Sequence, residues 1–454
     1  MTTAHLTRYG GLRRCALIVI AVLVSASTAC TTALSGSATK ADPLKHEKNA
    51  TAILEDAGVA ADVSLEGTLG SATDDLVINA MSDLIAYWAD NAEDVFGVEE
   101  ISPLEGGIWA IDSQDPDAPV PPGCGLQDPA DYTNNAFYCG NGDAIAYDIH
   151  YLETILDTYG DLDVAFVFAH EYGHALQFRF VPVQKSIVDE TQADCFTGAW
   201  AKSVTAGDAQ YWLADEELLD GPVGDYVMEL GDPAGHDPNA NGAHGSVFDR
   251  VSAIQEGYFD GPTSCVSNFN DDRVFVSAEF DEGTASSDGK GNVALDVAIS
   301  QSWEVADAGL ADVLTGDGPE LTIDDPACAV AKVVQGCVDE QSVDITDLDQ
   351  LDELYQQYGD FSVFTLVAMT YTAYAEASLG EEPSTTRQVC VVAALAADLA
   401  DEGLLSPGDL DEAVTTIFKL SSENDFVEIE TSTAWERIDA FRSGYYGDLS
   451  ACGF

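Results

Sequence analysis

Two histidines four residues apart, with a glutamate beside the first, stand in the run Ala165-Phe166-Val167-Phe168-Ala169-His170-Glu171-Tyr172-Gly173-His174. On an α-helix this spacing puts His170 and His174 on one face, so that both imidazoles reach one metal ion. Glu171 then lies beside the ion, placed to take a proton from a water that the metal has made acidic. A bare HExxH also arises by chance, but this one sits in a strongly apolar helical pattern, where two unpaired His and a Glu are costly to bury. A third ligand is required, and Glu190-Thr191-Gln192-Ala193-Asp194 offers one; fifteen residues separate His174 from Glu190. Glu190 closes a His2Glu set and leaves the fourth position to water and substrate. Asp194, one turn on, is placed to accept the outer N–H of His170 and set its tautomer. In so acidic a chain this stretch also reads as a solvated helix face; its position after HExxH favours the metal. The donor set favours Zn2+ over manganese or cobalt, one ion per chain.

These residues need helices to carry them. Helical periodicity covers residues 75–96, 164–178, 190–204 and 246–258, with Glu190 expected to open its helix; residues 107–112 and 144–147 read as short strands. The expected fold class is α+β and helix-dominated, with a small sheet beside the central helix.

The chain repeats itself. Tyr159-Gly160-Asp161-Leu162-Asp163-Val164 matches Tyr358-Gly359-Asp360-Phe361-Ser362-Val363, and each opens a long apolar helical pattern. Arg250-Val251-Ser252-Ala253 runs on to Gly257-Tyr258 and Cys265, as Arg437-Ile438-Asp439-Ala440 runs on to Gly444-Tyr445 and Cys452. Two copies of one domain, 61–270 and 271–454, fit the length of 454 residues. Aligned on these matches, the second copy has Met369, Thr370 and Ala373 where the first has His170, Glu171 and His174, and Thr385 and Val389 for Glu190 and Asp194. Every metal and catalytic position is lost, and no His follows His244.

Eight cysteines fall four to each half: Cys124, Cys139, Cys195 and Cys265, then Cys328, Cys337, Cys390 and Cys452. In an exported protein an even, patterned set reads as disulfides. Sequence does not determine connectivity; pairing as 124–139, 195–265, 328–337 and 390–452 is the simplest choice. A zinc–thiolate site is the alternative, disfavoured by the absence of any CxxC pair.

Residues from about Asp75 to Cys265 resemble the neutral zinc metallopeptidase family of bacteria. The family pairs an HEVGH-type helix with E-L-Q-A-D-C-x-A-G, here Glu190-Thr191-Gln192-Ala193-Asp194-Cys195-Phe196-Thr197-Gly198, with Thr191 for the usual Leu and Thr197 for Ala. Its F-Y-C segment is matched by Phe137-Tyr138-Cys139, and its A-H-G-[ST] by Ala243-His244-Gly245-Ser246. The resemblance implies a zincin-like fold and hydrolysis of peptide bonds in a peptide or protein substrate. His244 then reads as a donor to the tetrahedral oxyanion, as a distant His does in related zinc peptidases; the plainer reading is a cap or packing residue before the following helix. His46, His150 and His236 read as surface or structural.

Composition bounds the rest. With 80 Asp+Glu against 17 Lys+Arg the net charge is −63, which excludes nucleic-acid binding, because phosphate backbones need a basic footprint. Arg8, Arg13 and Arg14 precede the apolar run 15–24 and the small residues 25–29, the anatomy of a signal peptide over 1–29. Cys30 follows directly, as in the lipobox of bacterial lipoproteins, although Ser27 stands where Leu is usual. Residues 30–60 read as a tether from a lipid on Cys30, the expected membrane contact, to the folded part. The chain is thus expected at the outer face of the bacterial cell membrane, or secreted. The competing function is a non-catalytic surface lipoprotein in which zinc is structural and the paired domains bind a partner.

Overall fold

A computed structural model describes residues 52–54, 58–228, 230–280, 291–314, 318–421 and 424–454. Residues 1–29, read as a signal peptide, Cys30 and most of the stretch read as a tether lie outside the described residues. Ala52 and Ala60, at the end of the stretch read as tether, are buried, and Ile53 forms a β-bridge with Trp212.

The first half runs β1 (Leu65–Gly67), α1 (Asp74–Phe96), β2 (Gly107–Ile111), β3 (Ala136–Cys139), β4 (Ala144–Asp148), α2 (Ile149–Thr158), α3 (Asp161–Phe180), α4 (Ser186–Ala206), α5 (Val247–Asp260) and α6 (Pro262–Ser267). The second runs α7 (Leu295–Leu310), β5 (Glu320–Ile323), β6 (Val334–Cys337), β7 (Ser342–Ile345), α8 (Leu348–Tyr358), α9 (Asp360–Leu379), α10 (Thr385–Asp401), α11 (Asp409–Lys419) and α12 (Ala434–Tyr446). The fold is helix-rich with two small sheets, the α+β class expected. None of the helices is long and apolar enough to cross a membrane among the described residues.

The first sheet has the order β1-β2-β4-β3, with β1, β2 and β4 parallel and β3 antiparallel at the edge. The second has the order β5-β7-β6, again a parallel pair with an antiparallel edge strand. Sequence reasoning missed β1, β3 and α2. The first two are too short, at three and four residues, to show a period of two.

Each half is organised around a helix that is apolar on every side. In α3 residues Leu162 to Ala169 are all buried, and in α9 so are Phe361 to Thr372. Such helices belong in the middle of a core. Around α3 pack α1, α4 and the sheet. Two glycines let α4 and α5 cross with their backbones almost touching: a Cβ at Gly198 would overlap the Ile254 carbonyl, and one at Gly257 the Cys195 carbonyl. The α10–α12 crossing is built in the same manner, with Gly444 against the Cys390 carbonyl.

The eight cysteines among the described residues are all paired, as 124–139, 195–265, 328–337 and 390–452. The zinc–thiolate alternative therefore falls for these eight, because no free thiolate is left among the described residues. The two long-range bridges pin α4 to α6 and α10 to the chain's end, and each contributes about 4 kcal/mol in the chain-entropy account.

Candidate metal centre

α3 carries His170 and His174 one turn apart, with ring centroids 4.7 Å apart and planes perpendicular. α4 begins at Ser186 rather than at Glu190, so Glu190 and Asp194 lie inside the helix, one turn apart, on the side facing α3. The helices approach closely where Gly173 meets Ala193, at 3.1 Å from the position a Cβ would occupy to the Ala193 Cα. That contact delivers Glu190 to the histidines. His170 Nε2 lies 3.1 Å from His174 Nε2 and 3.3 Å from Glu190 Oε2, and His174 Nε2 lies 3.7 Å from the same oxygen.

The outer ring nitrogens decide what those three atoms present to one another. His170 Nδ1 lies 2.8 Å from Asp194 Oδ1, an acceptor, so Nδ1 carries the hydrogen. His174 Nδ1 lies 2.8 Å from Gln177 Oε1. The orientation of that amide is set from its far side, where Gln177 Nε2 donates to the Asp189 carbonyl and to Gln192 Oε1. Gln192 Nε2 in turn donates to the Cys265 carbonyl at 2.8 Å. Both neutral imidazoles are therefore Nδ1–H tautomers, and three lone pairs converge on one point. Only a proton or a cation satisfies that arrangement. Ligands at zinc-like bond lengths in a tetrahedron stand about 3.3 Å apart, so the observed separations suit a metal ion.

Electrostatics agree. Burial opposes charge on His170, but Asp194 and then Glu190 outweigh it and raise its pKa to about 10 when no metal competes. His174 is also raised, with burial overcome chiefly by Glu190. Burial works against the Glu190 carboxylate too, yet the two histidines hold its pKa well below the usual range. Asp194 is lowered against burial by Arg250 and His170. Arg250, itself only 3% exposed, grips both Asp194 oxygens, with Nε to Oδ2 at 2.7 Å and Nη2 to Oδ1 at 2.8 Å.

Glu171 is buried, and burial pushes its pKa up. Its Oε2 accepts the backbone N–H of Tyr138 at 2.7 Å, which ties it to the edge strand β3. His244 is not among the converging ligands; its Nδ1 lies 3.5 Å from Asp232 Oδ1, and Asp232 Oδ2 accepts the backbone N–H groups of His244 and Gly245. His150 pairs with Asp112 at 2.9 Å.

Sequence reasoning missed Gln177, Gln192, Arg250 and the Tyr138 N–H as parts of this site. Gln177 was within reach, three residues beyond His174 on the same helix face. Arg250 stood in the repeated Arg-to-Cys segment but had no visible link to Asp194. Positions Met369, Thr370 and Val389 of the second half are buried.

Comparison of the chain with protein-family models, with curated proteins and with solved structures finds no match in any of the three. The likeness to the neutral zinc metallopeptidases rests on the motifs quoted above.

Proposed function

We propose that this chain is a zinc-dependent peptidase, with Zn2+ held by His170, His174 and Glu190. The observation that carries the reading is the convergence of three lone pairs whose tautomers are set from behind by Asp194 and Gln177. Zinc in such a set acidifies a water toward neutrality and polarises a substrate carbonyl. Glu171, beside these side chains and pushed up in pKa by burial, would be the group that accepts a proton there and returns it to a leaving amine. The Tyr138 N–H keeps the carboxylate in place for both transfers. β3, as an edge strand beside Glu171, suits an extended peptide added alongside it.

The second half is best read as a copy of the first that has lost its metal. The repeated sheet pattern, the matching disulfides and the glycine–carbonyl crossings support that reading. Four disulfides suit an exported protein, on the membrane's outer face through Cys30 or secreted.

The test is zinc content per folded chain, for wild type and Glu190→Ala, with peptide-library hydrolysis by wild type and Glu171→Gln. One zinc, lost on Glu190→Ala, with hydrolysis abolished by Glu171→Gln while zinc is kept, supports the enzyme. A folded wild type that was never exposed to chelator and carries no zinc sinks it. Zinc without hydrolysis of any peptide assigns the ion a structural role.

A further inference from the structure

A second group of converging donors, here all oxygens, lies in the other half, far along the chain from the histidines. Asp360 opens α9, and Asp409 and Glu412 occupy the first turn of α11. One oxygen from each carboxylate falls within 4.8 Å of the other two. Each carboxylate is also held by a backbone N–H on one side. Asp360 Oδ2 accepts from Val293 at 2.8 Å, Glu412 Oε2 from Phe361 at 3.0 Å, and Asp409 Oδ2 from Ser406 at 2.7 Å. The Asn292 amide, in the orientation that satisfies its hydrogen bonds, bridges Glu412 Oε1 at 3.0 Å and Asp360 Oδ1 at 3.3 Å. Gly359 is required here: at φ +96° it takes a left-handed backbone, and a Cβ would overlap the Glu412 carboxylate.

Helix N-termini attract acids, and that alone accounts for an exposed cluster. It does not account for Asp409. This side chain is only 6% exposed, and its Oδ1 is buried without any hydrogen-bond donor. An unmet carboxylate oxygen beside two further carboxylates is costly unless a cation or a proton meets it. The corresponding acid of the first half, Asp161 at the start of α3, needs neither, because both its oxygens face the backbone N–H groups of Ala52 and Ile53.

We propose that Asp360, Asp409 and Glu412 bind a calcium-class divalent cation, which joins α9 to α11 in the second half. The donors are all carboxylate oxygens, the choice of a hard cation. The site stands independently of the peptidase reading. The rival occupant is a proton on Asp409, whose pKa is pushed up to about 8 by burial and then by Asp360.

Calcium and proton are separated by thermal melting of the full chain at fixed high ionic strength, with CaCl2 or with chelator, combined with equilibrium dialysis of Ca2+. In the wild type Ca2+ raises Tm. In Asp409→Asn that rise disappears, bound Ca2+ falls by one per chain, and affinity at the site weakens by at least about tenfold. With chelator present the same variant melts no lower than wild type, since a buried charge has been removed. Glu412→Gln repeats the loss of the calcium response if Asp409→Asn does not fold. Zinc content is unchanged in both variants. A calcium-dependent rise of equal size in wild type and variants, or no rise in wild type, overturns the proposal; the second result assigns Asp409 a proton.

Discussion

Asp411, in the first turn of α11, accepts the backbone N–H of Phe248 in the first turn of α5 at 2.9 Å. The contact has a counterpart running the other way: Asp220 accepts the N–H groups of Ala434 and Trp435, which open α12, at 2.9 and 2.7 Å. Each half thus supplies a carboxylate to satisfy the orphan donors of a helix in the other. Gln255 adds a bond from α5 to the Trp435 carbonyl at 3.1 Å.

Asp411 makes this junction sensitive to pH. Burial, with Asp249 nearby, pushes its pKa up to about 7, against the stabilising N–H groups of Phe248 and Val247. A carboxyl raised in the folded state holds its proton there after the unfolded chain has lost it. Its contribution is therefore full below about pH 4 and is lost as pH rises to about 7. Asp411→Asn keeps an acceptor for Phe248 and removes the titration. Melting curves are expected to show no change at pH 4 and a gain of up to about 4 kcal/mol at pH 8; an equal effect of the substitution at both pH values would contradict the assignment.

Arg250 is predicted to matter to the metal without touching it. Arg250→Met takes the guanidinium from the buried Asp194 carboxylate, which keeps its bond to His170, and should cost about 3–5 kcal/mol in stability. Asp194→Asn is gentler on the fold but weakens the hold on His170. Zinc affinity should fall about 10- to 100-fold, read by competition with a chromophoric chelator.

The relay from His174 through Gln177 and Gln192 ends on the Cys265 carbonyl, so the Cys195–Cys265 bridge supports one of the converging imidazoles from behind. Replacing both cysteines with Ala should lower stability by about 4 kcal/mol and weaken zinc binding as well. The same change at Cys390 and Cys452 should cost a similar amount and leave zinc affinity as it was. Chelator competition on the two double variants distinguishes them.

Metal binding should release a proton. Metal-free His170 is held protonated by Asp194 and Glu190 despite burial, with a pKa of about 10. A ligand must be neutral, so the metal displaces that proton. Apparent zinc affinity is expected to rise by up to about one decade per pH unit between pH 6 and 9. Calorimetry in two buffers of different ionisation enthalpy should count the proton released; a count of zero would show that His170 is already neutral.

Much of the site was legible from spacing. HExxH needs only a helix, because residues four apart share a face whatever the rest of the chain does. The carboxylate that meets the histidines and the one that bonds to His170 were legible as Glu190 and Asp194, and the simplest of the possible disulfide pairings is the one observed. The start of α4 was misplaced by four residues, since its cap residue, Lys185, offers no side-chain acceptor to mark it. What no local pattern carried was how α3 and α4 face each other. Both helices are apolar nearly all round, so periodicity marks no preferred side and leaves their relative rotation open. Packing settles it: Gly173 against Ala193 sets the approach, and the crossing at Gly198 and Gly257 brings α5, with Arg250, behind Asp194. Contacts within one turn follow from covalent geometry and helix pitch; those across 20 residues or more exist only once the core has closed around them.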